Sequence, residues 1–123
     1  MMRPGEEQPV LRHPVHECDR IFVERLRAFV ISGLSDPGFN VPRLALNVCM
    51  SSRQLQRRCR ELTGQGPLEF IRSIRLEEAE AMVRRGAFRT VAEVAAAVGM
   101  SPTYLARLYS AWQGHPPSED LRA

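Results

Sequence analysis

Val41-Pro42-Arg43-Leu44-Ala45-Leu46-Asn47-Val48-Cys49-Met50-Ser51 and Val91-Ala92-Glu93-Val94-Ala95-Ala96-Ala97-Val98-Gly99-Met100-Ser101 are one pattern written twice, 50 residues apart. The pairing runs on without a gap: Leu55 with Leu105, Arg57 with Arg107, Gly64 with Gly114, Pro67 with Pro117, Glu69 with Glu119. Self-similarity at a fixed spacing marks a repeated supersecondary unit. Each copy reads as a short helix, a tight turn, and a second helix with polar residues facing out.

The flanking sequence fits around these two copies. Residues 1–17 hold three Pro and one Gly with no sustained period, so a flexible arm is expected over 1–18. From Asp19, the residues Ile21, Phe22, Leu26, Phe29, Val30 and Leu34 follow helical spacing, ending near Gly33–Ser35 before the turn signal Asp36-Pro37-Gly38. Asn40 can cap the next helix, with Pro42 in its first turn and Leu44, Ala45 and Val48 inward. Ser51 caps the helix after it, which turns Leu55 and Cys59 inward and stops at Gly64-Gln65-Gly66. Pro67 opens a long helix to about Arg85, closed by Gly86, with Leu68, Phe70, Ile71, Ile74, Leu76, Ala79, Met82 and Val83 as its apolar residues. These cover more than one stripe, as expected of a helix packed at both ends. Thr90 caps the second copy, with a helix over Val91–Val98, a turn at Gly99, a helix from Ser101 to about Gln113, and a last turn over Pro117–Leu121. No segment alternates like a strand. The expected fold is all-α, with about seven helices: two helix-turn-helix subdomains (about 41–64 and 91–113) joined by a linker helix (about 67–85), all within a domain over 19–123.

In this motif the second helix enters a DNA major groove. The first such helix offers Ser52, Arg53, Gln54, Gln56, Arg57, Arg58 and Arg60, and the second offers Pro102, Thr103, Tyr104, Ala106 and Arg107. Arg pairs with guanine and Gln with adenine, so the first set is suited to reading bases. The second set has one positive charge, with Glu119 and Asp120 following, and is read equally as a weak, phosphate-touching face. A linker of about 19 residues is roughly 28 Å long, against about 34 Å between successive major grooves on one DNA face. Two readers could therefore occupy neighbouring grooves. The turns differ: Gly99 tolerates positive φ, whereas Cys49 would cost about 1 kcal/mol there, which makes it a small, partly buried packing residue in this reading.

The bulk numbers agree. The formal charge is +3 and the sequence pI about 9.1, which favours an anionic partner. All 17 positive side chains are Arg, the better residue for bidentate contacts; codon usage in a GC-rich genome gives the same bias and reaches Arg3 and Arg12. Cys18, Cys49 and Cys59 are odd in number and lack metal-ligand spacing, so free thiols and a cytoplasmic location are expected. His13, His16 and Cys18 are read as part of a polar tail rather than a metal site. There is no signal peptide and no apolar run of membrane-spanning length, hence no membrane partner. There is no nucleophile–base arrangement and no glycine-rich phosphate loop, while His13, His16 and His115 fall in arms or loops. Neither enzymatic activity, a cofactor, nor a small-molecule effector site is expected.

The residues together resemble the DNA-binding domain of AraC/XylS-type transcriptional regulators. The resemblance is carried by Leu44-Ala45, by Met50-Ser51-Ser52-Arg53-Gln54-Leu55, by the run from Leu62-Thr63-Gly64-Gln65-Gly66-Pro67 to Leu76-Glu77-Glu78-Ala79, and by Val91-Ala92-Glu93-Val94-Ala95 with Val98-Gly99-Met100-Ser101. It covers roughly residues 20–122. It implies a regulator that binds an asymmetric site of two major-groove boxes and contacts RNA polymerase, either standing alone or as the C-terminal piece of a larger protein. Gly99-Met100 and Tyr109-Ser110-Ala111-Trp112 depart from the family's usual Gly-Phe and basic pair, and weaken the expected contact of the second half. The alternative is a helix-turn-helix protein-interaction module whose second half has reduced or no DNA binding.

Overall fold

The computed structural model describes residues 17–121, which form seven α-helices and no strand. They are α1 (Glu17–Ser32), α2 (Val41–Asn47), α3 (Ser52–Thr63), α4 (Pro67–Arg84), α5 (Val91–Ala97), α6 (Pro102–Gln113) and α7 (Pro117–Asp120). Most of the expected arm, including His13 and His16, lies outside the described residues. Its last two residues, Glu17 and Cys18, already belong to α1. The chain divides into two compact units, 17–33 with 39–74 and 34–38 with 75–121, so α4 contributes its first eight residues to one and the rest to the other.

The 50-residue repeat holds at every boundary from α2 to α3 and from α5 to α6. The cause is a shared set of helix stops and starts. The amide of Met50 donates to Ala45 O (2.9 Å) and that of Cys49 to Leu46 O (3.1 Å); Met100 and Gly99 repeat this with Ala95 O (2.9 Å) and Ala96 O (3.3 Å). This paired 6→1 and 5→2 arrangement is the Schellman motif, which needs a left-handed residue between its two ends. That residue is Cys49 at φ 58 and Gly99 at φ 70. Ser51 and Ser101 then cap α3 and α6 through Oγ, accepting from the amides of Gln54 (3.1 Å) and Tyr104 (3.2 Å). Left-handed Gly64 and Gly114 end both helices, each amide bonding the carbonyl four residues back.

In the first unit α1, α2 and α3 pack on one another around Val23, Leu26, Val30, Leu44, Leu55 and Cys59. Ile21, expected inward, is 47% exposed, and Val23 takes its place in the core. Adjacent apolar residues straddle the edge of a stripe, and spacing alone does not say which one turns in. Leu68 is likewise exposed, and Val48 only half-buried. Burial raises the Cys59 thiol above its ordinary value, so it stays neutral. Arg58 pairs with Asp19 of α1 and lies over the Phe22 ring, 5.7 Å from its centroid.

In the second unit α5 packs on α6, and α6 on α7, around Val94, Ala95, Val98, Leu105 and Tyr109. Its least expected member is Arg75, which is buried. Nη1 donates to Leu34 O (2.8 Å) and to Val98 O, and Nη2 to Asp36 O (3.2 Å). Burial lowers the guanidinium from its ordinary value and the nearby Asp36 carboxylate opposes this. The same guanidinium explains why the turn residues differ. A Cβ on Gly99 would stand 2.0 Å from Arg75 Nη1 and 2.5 Å from Leu34 O. Cys49, by contrast, is exposed and not a packing residue; the expectation of partial burial fails because this turn points its side chain into solvent. At the C-terminal end, Tyr109 OH donates to Asp120 Oδ2 (2.6 Å), and His115 Nε2 lies 2.8 Å from the same oxygen. That contact raises the His115 pKa, and Asp120 is lowered chiefly by the Tyr109 hydrogen bond.

Three outcomes are expected in thermal or urea unfolding. Gly99→Ala should cost about 2–4 kcal/mol, the left-handed penalty plus overpacking. Cys49→Gly should stabilise by about 0.5–1 kcal/mol, the left-handed relief less the added freedom of the unfolded chain. Because the folded His115 pKa is raised, its pairing with Asp120 contributes fully below about pH 6.5 and is lost as pH rises through the folded pKa. His115→Gln should therefore lower Tm at pH 6 and make little difference at pH 9.

Candidate nucleic-acid interface

On α3, Arg53, Gln56, Arg57 and Arg60 stand at i, i+3, i+4 and i+7, one stripe on the side turned away from buried Leu55. All four are exposed, as are Ser52 and Gln54. The stripe forms because Leu55, Cys59 and Leu62 occupy the other face and the Ser51 cap fixes the helix start.

The side chains differ in how far they are committed. Gln54 Oε1 accepts from the Ser51 amide (3.0 Å) and completes a capping box. A bidentate contact to adenine needs both ends of a carboxamide, and the capping box engages one of them, Oε1. Arg58, counted with the reader face from sequence, is turned inward to Asp19 and Phe22. Its partner lies 39 residues away in another helix, which local spacing does not reveal. Arg60 Nη2 is 3.7 Å from Glu69 Oε1, with both side chains more than half exposed. Among the described residues, Arg53 and Arg57 have neither an ion pair nor a side-chain hydrogen bond.

On α6 the equivalent stripe is Thr103, Ala106, Arg107 and Ser110. Pro102, Thr103 and Arg107 are exposed, and Tyr104 and Ala106 are half-buried. The Arg107 guanidinium lies over the Tyr104 ring, 5.2 Å from its centroid. The units differ in charge as well. The described residues of the first contain nine Arg against five acidic residues, and those of the second contain five Arg against seven. Among the described residues the first unit is therefore net positive and the second slightly net negative. No group of His, Cys, Asp and Glu able to hold a metal is found among the described residues. No described helix is long and apolar enough to cross a membrane.

The architecture has known counterparts. The C-terminal domain of the two-component response regulator yesN from Fusobacterium nucleatum has the same fold, with a TM-score of 0.73 at 16% identity, over 83% of this chain and 99% of that one. The DNA-binding domain of AdpA, the global transcriptional factor, in complex with a target DNA, is 29% identical with a TM-score of 0.72, over 80% of this chain and 88% of that one. A probable AraC family transcriptional regulator from Rhodopseudomonas palustris is 25% identical with a TM-score of 0.67, over 81% and 94%. No curated protein matches the chain. Residues 44–123 match the helix-turn-helix domain family, a stretch holding both left-handed turns and both outward stripes, and the chain belongs to that family as an AraC-type DNA-binding domain of a transcriptional regulator rather than an enzyme.

Proposed function

We propose that the chain binds double-stranded DNA sequence-specifically and reads two adjacent major-groove boxes, one through α3 and one through α6. The observation that carries this reading is the repeated left-handed turn. At both copies it is followed two residues later by a capping Ser, and six residues after that Ser by an exposed Arg, Arg57 or Arg107. In the first reader Arg53, Gln56 and Arg57 contact bases, while Ser52, Arg60 and the helix start set register on phosphates. In the second, Arg107 is the base-reading residue, and Pro102, Thr103 and Ala106 line the approach. The DNA-bound state of the AdpA domain supports the choice of ligand. RNA polymerase is the further partner implied by the family, and the cytoplasm the compartment.

A second reading has its own support. The excess of acidic residues in the second unit favours a protein-contacting role for that half, with DNA held by the first alone. Selection of bound duplexes from a random DNA library at moderate salt separates the two. A two-box motif is the expected result; a one-box motif supports the second reading, and no motif removes both.

Losing one bidentate base contact costs about 1–3 kcal/mol and relaxes preference at one position. Arg53→Ala with Arg57→Ala should therefore abolish selective binding of the selected duplex at fixed salt. Arg57→Ala should weaken binding more than Arg107→Ala, because the net positive charge of the described residues lies on the first unit. Arg58→Ala should instead lower stability, by about 0.5–1.5 kcal/mol for the ion pair and the ring contact together, and leave the affinity of the folded protein within twofold.

A further inference from the structure

Position 54 in the first reader and position 104 in the second are equivalent, three residues after the capping Ser. Their side chains do different things. Gln54 reaches back to the Ser51 amide and closes the capping box. Tyr104 cannot, and the Ser101 cap has only its forward half, Tyr104 N to Ser101 Oγ at 3.2 Å. The Tyr104 ring lies beneath Arg107, one turn further along the same face. Arg57, at the position equivalent to Arg107, has Gln54 in the place of the ring and no aromatic face against it.

We infer that Tyr104 is a positioning residue for DNA recognition: its ring holds the Arg107 guanidinium in place, so that the lone cation of the second reader's stripe is pre-ordered for its base. The inference rests on the proposed DNA-reading role of α6. It assigns Tyr104 to holding Arg107 rather than to contacting a base. An Arg side chain loses rotamer freedom when it binds, and a group already held on a ring loses less. An exposed ring–guanidinium contact is small, which sets the expected effect at about two- to fivefold in affinity. The same substitution that removes the ring, Tyr104→Gln, supplies the residue that completes the cap in the first copy. Folding and binding should therefore move in opposite directions.

The test uses the full chain and the best duplex from the random-library selection, with affinity measured across a salt series and Tm recorded for each variant. Tyr104→Gln should bind about two- to fivefold more weakly with an unchanged salt slope, since no cation is lost, and should have an equal or higher Tm. Tyr104→Phe keeps the ring and should bind like the wild type. Arg107→Ala should both weaken binding and reduce the slope if it meets a phosphate, by about 0.9, or relax one base preference if it meets a base. Wild-type affinity for Tyr104→Gln alongside a loss for Arg107→Ala overturns the positioning role while leaving α6 as a reader. An equal loss for Tyr104→Phe and Tyr104→Gln overturns it too, by showing that the hydroxyl touches DNA. If Arg107→Ala changes neither affinity, slope nor base preference, the reading of α6 itself has failed and the inference falls with it.

Discussion

The directions of α3 and α6 each hang on one backbone hydrogen bond, Met50 N–H to Ala45 O and Met100 N–H to Ala95 O. That bond closes only when the residue before it turns left-handed, and the turn reverses the chain within two residues of the next cap. The helices it ends, α2 and α5, are seven residues each. At that length a helix does not hold together in water by itself. Each survives because its N-terminus is capped, by Asn40 or Thr90, and because Leu44 and Ala45, or Val94 and Ala95, are buried against the neighbouring helix. Cap, turn and buried pair thus form one cooperative device, and the direction of α3 or α6 follows from it.

The two copies meet the left-handed requirement by different means. At 99 the space beside the turn is filled by the Arg75 guanidinium, and no Cβ fits. At 49 the side chain projects into solvent, so the position tolerates Cys at the cost of backbone strain. Arg75 has a purpose that justifies burying a charge. Its donors satisfy the carbonyls of Leu34, Asp36 and Val98, which come from a loop and a helix end where no helix supplies partners. A loop that sits between α1 and α2 in sequence is thereby held in the second unit. Removing the guanidinium would leave buried acceptors unpaired, the expensive way to lose a hydrogen bond.

What was legible in the sequence is what local chemistry determines. Ser51, Thr90 and Ser101 as caps, Gly64 and Gly114 as stops, and Pro67 and Pro117 as first residues of helices all follow from rules that act over four or five residues. The repeat then multiplied the signal, because each copy vouched for the other. Illegible were the features set by partners far along the chain. Arg58 looks like its neighbours until Asp19 is brought beside it, and Arg75 looks like a surface residue of a long helix until 34–38 folds over it. The choice between Ile21 and Val23 for the core, and the exposure of Cys49, depend on the angle at which elements meet, which periodicity does not encode.

The internal repeat also separates residues kept for folding from residues kept for another reason. Caps, stops and core positions match between the copies because each has few physical alternatives. The outward stripe has many: surface exchanges away from special features usually change stability by no more than about 0.5 kcal/mol. Along that stripe the copies differ at Arg53 and Thr103, at Gln56 and Ala106, and at Arg60 and Ser110. They agree at Arg57 and Arg107 alone. Among the described residues Arg57 and Arg107 are exposed and without an ion pair, and the Arg107 guanidinium lies over the Tyr104 ring. Neither side chain caps its helix or forms an ion pair among the described residues. An identity that folding does not require, on the face that the turn aims outward, is the strongest sign within this chain of what the two helices are built to present.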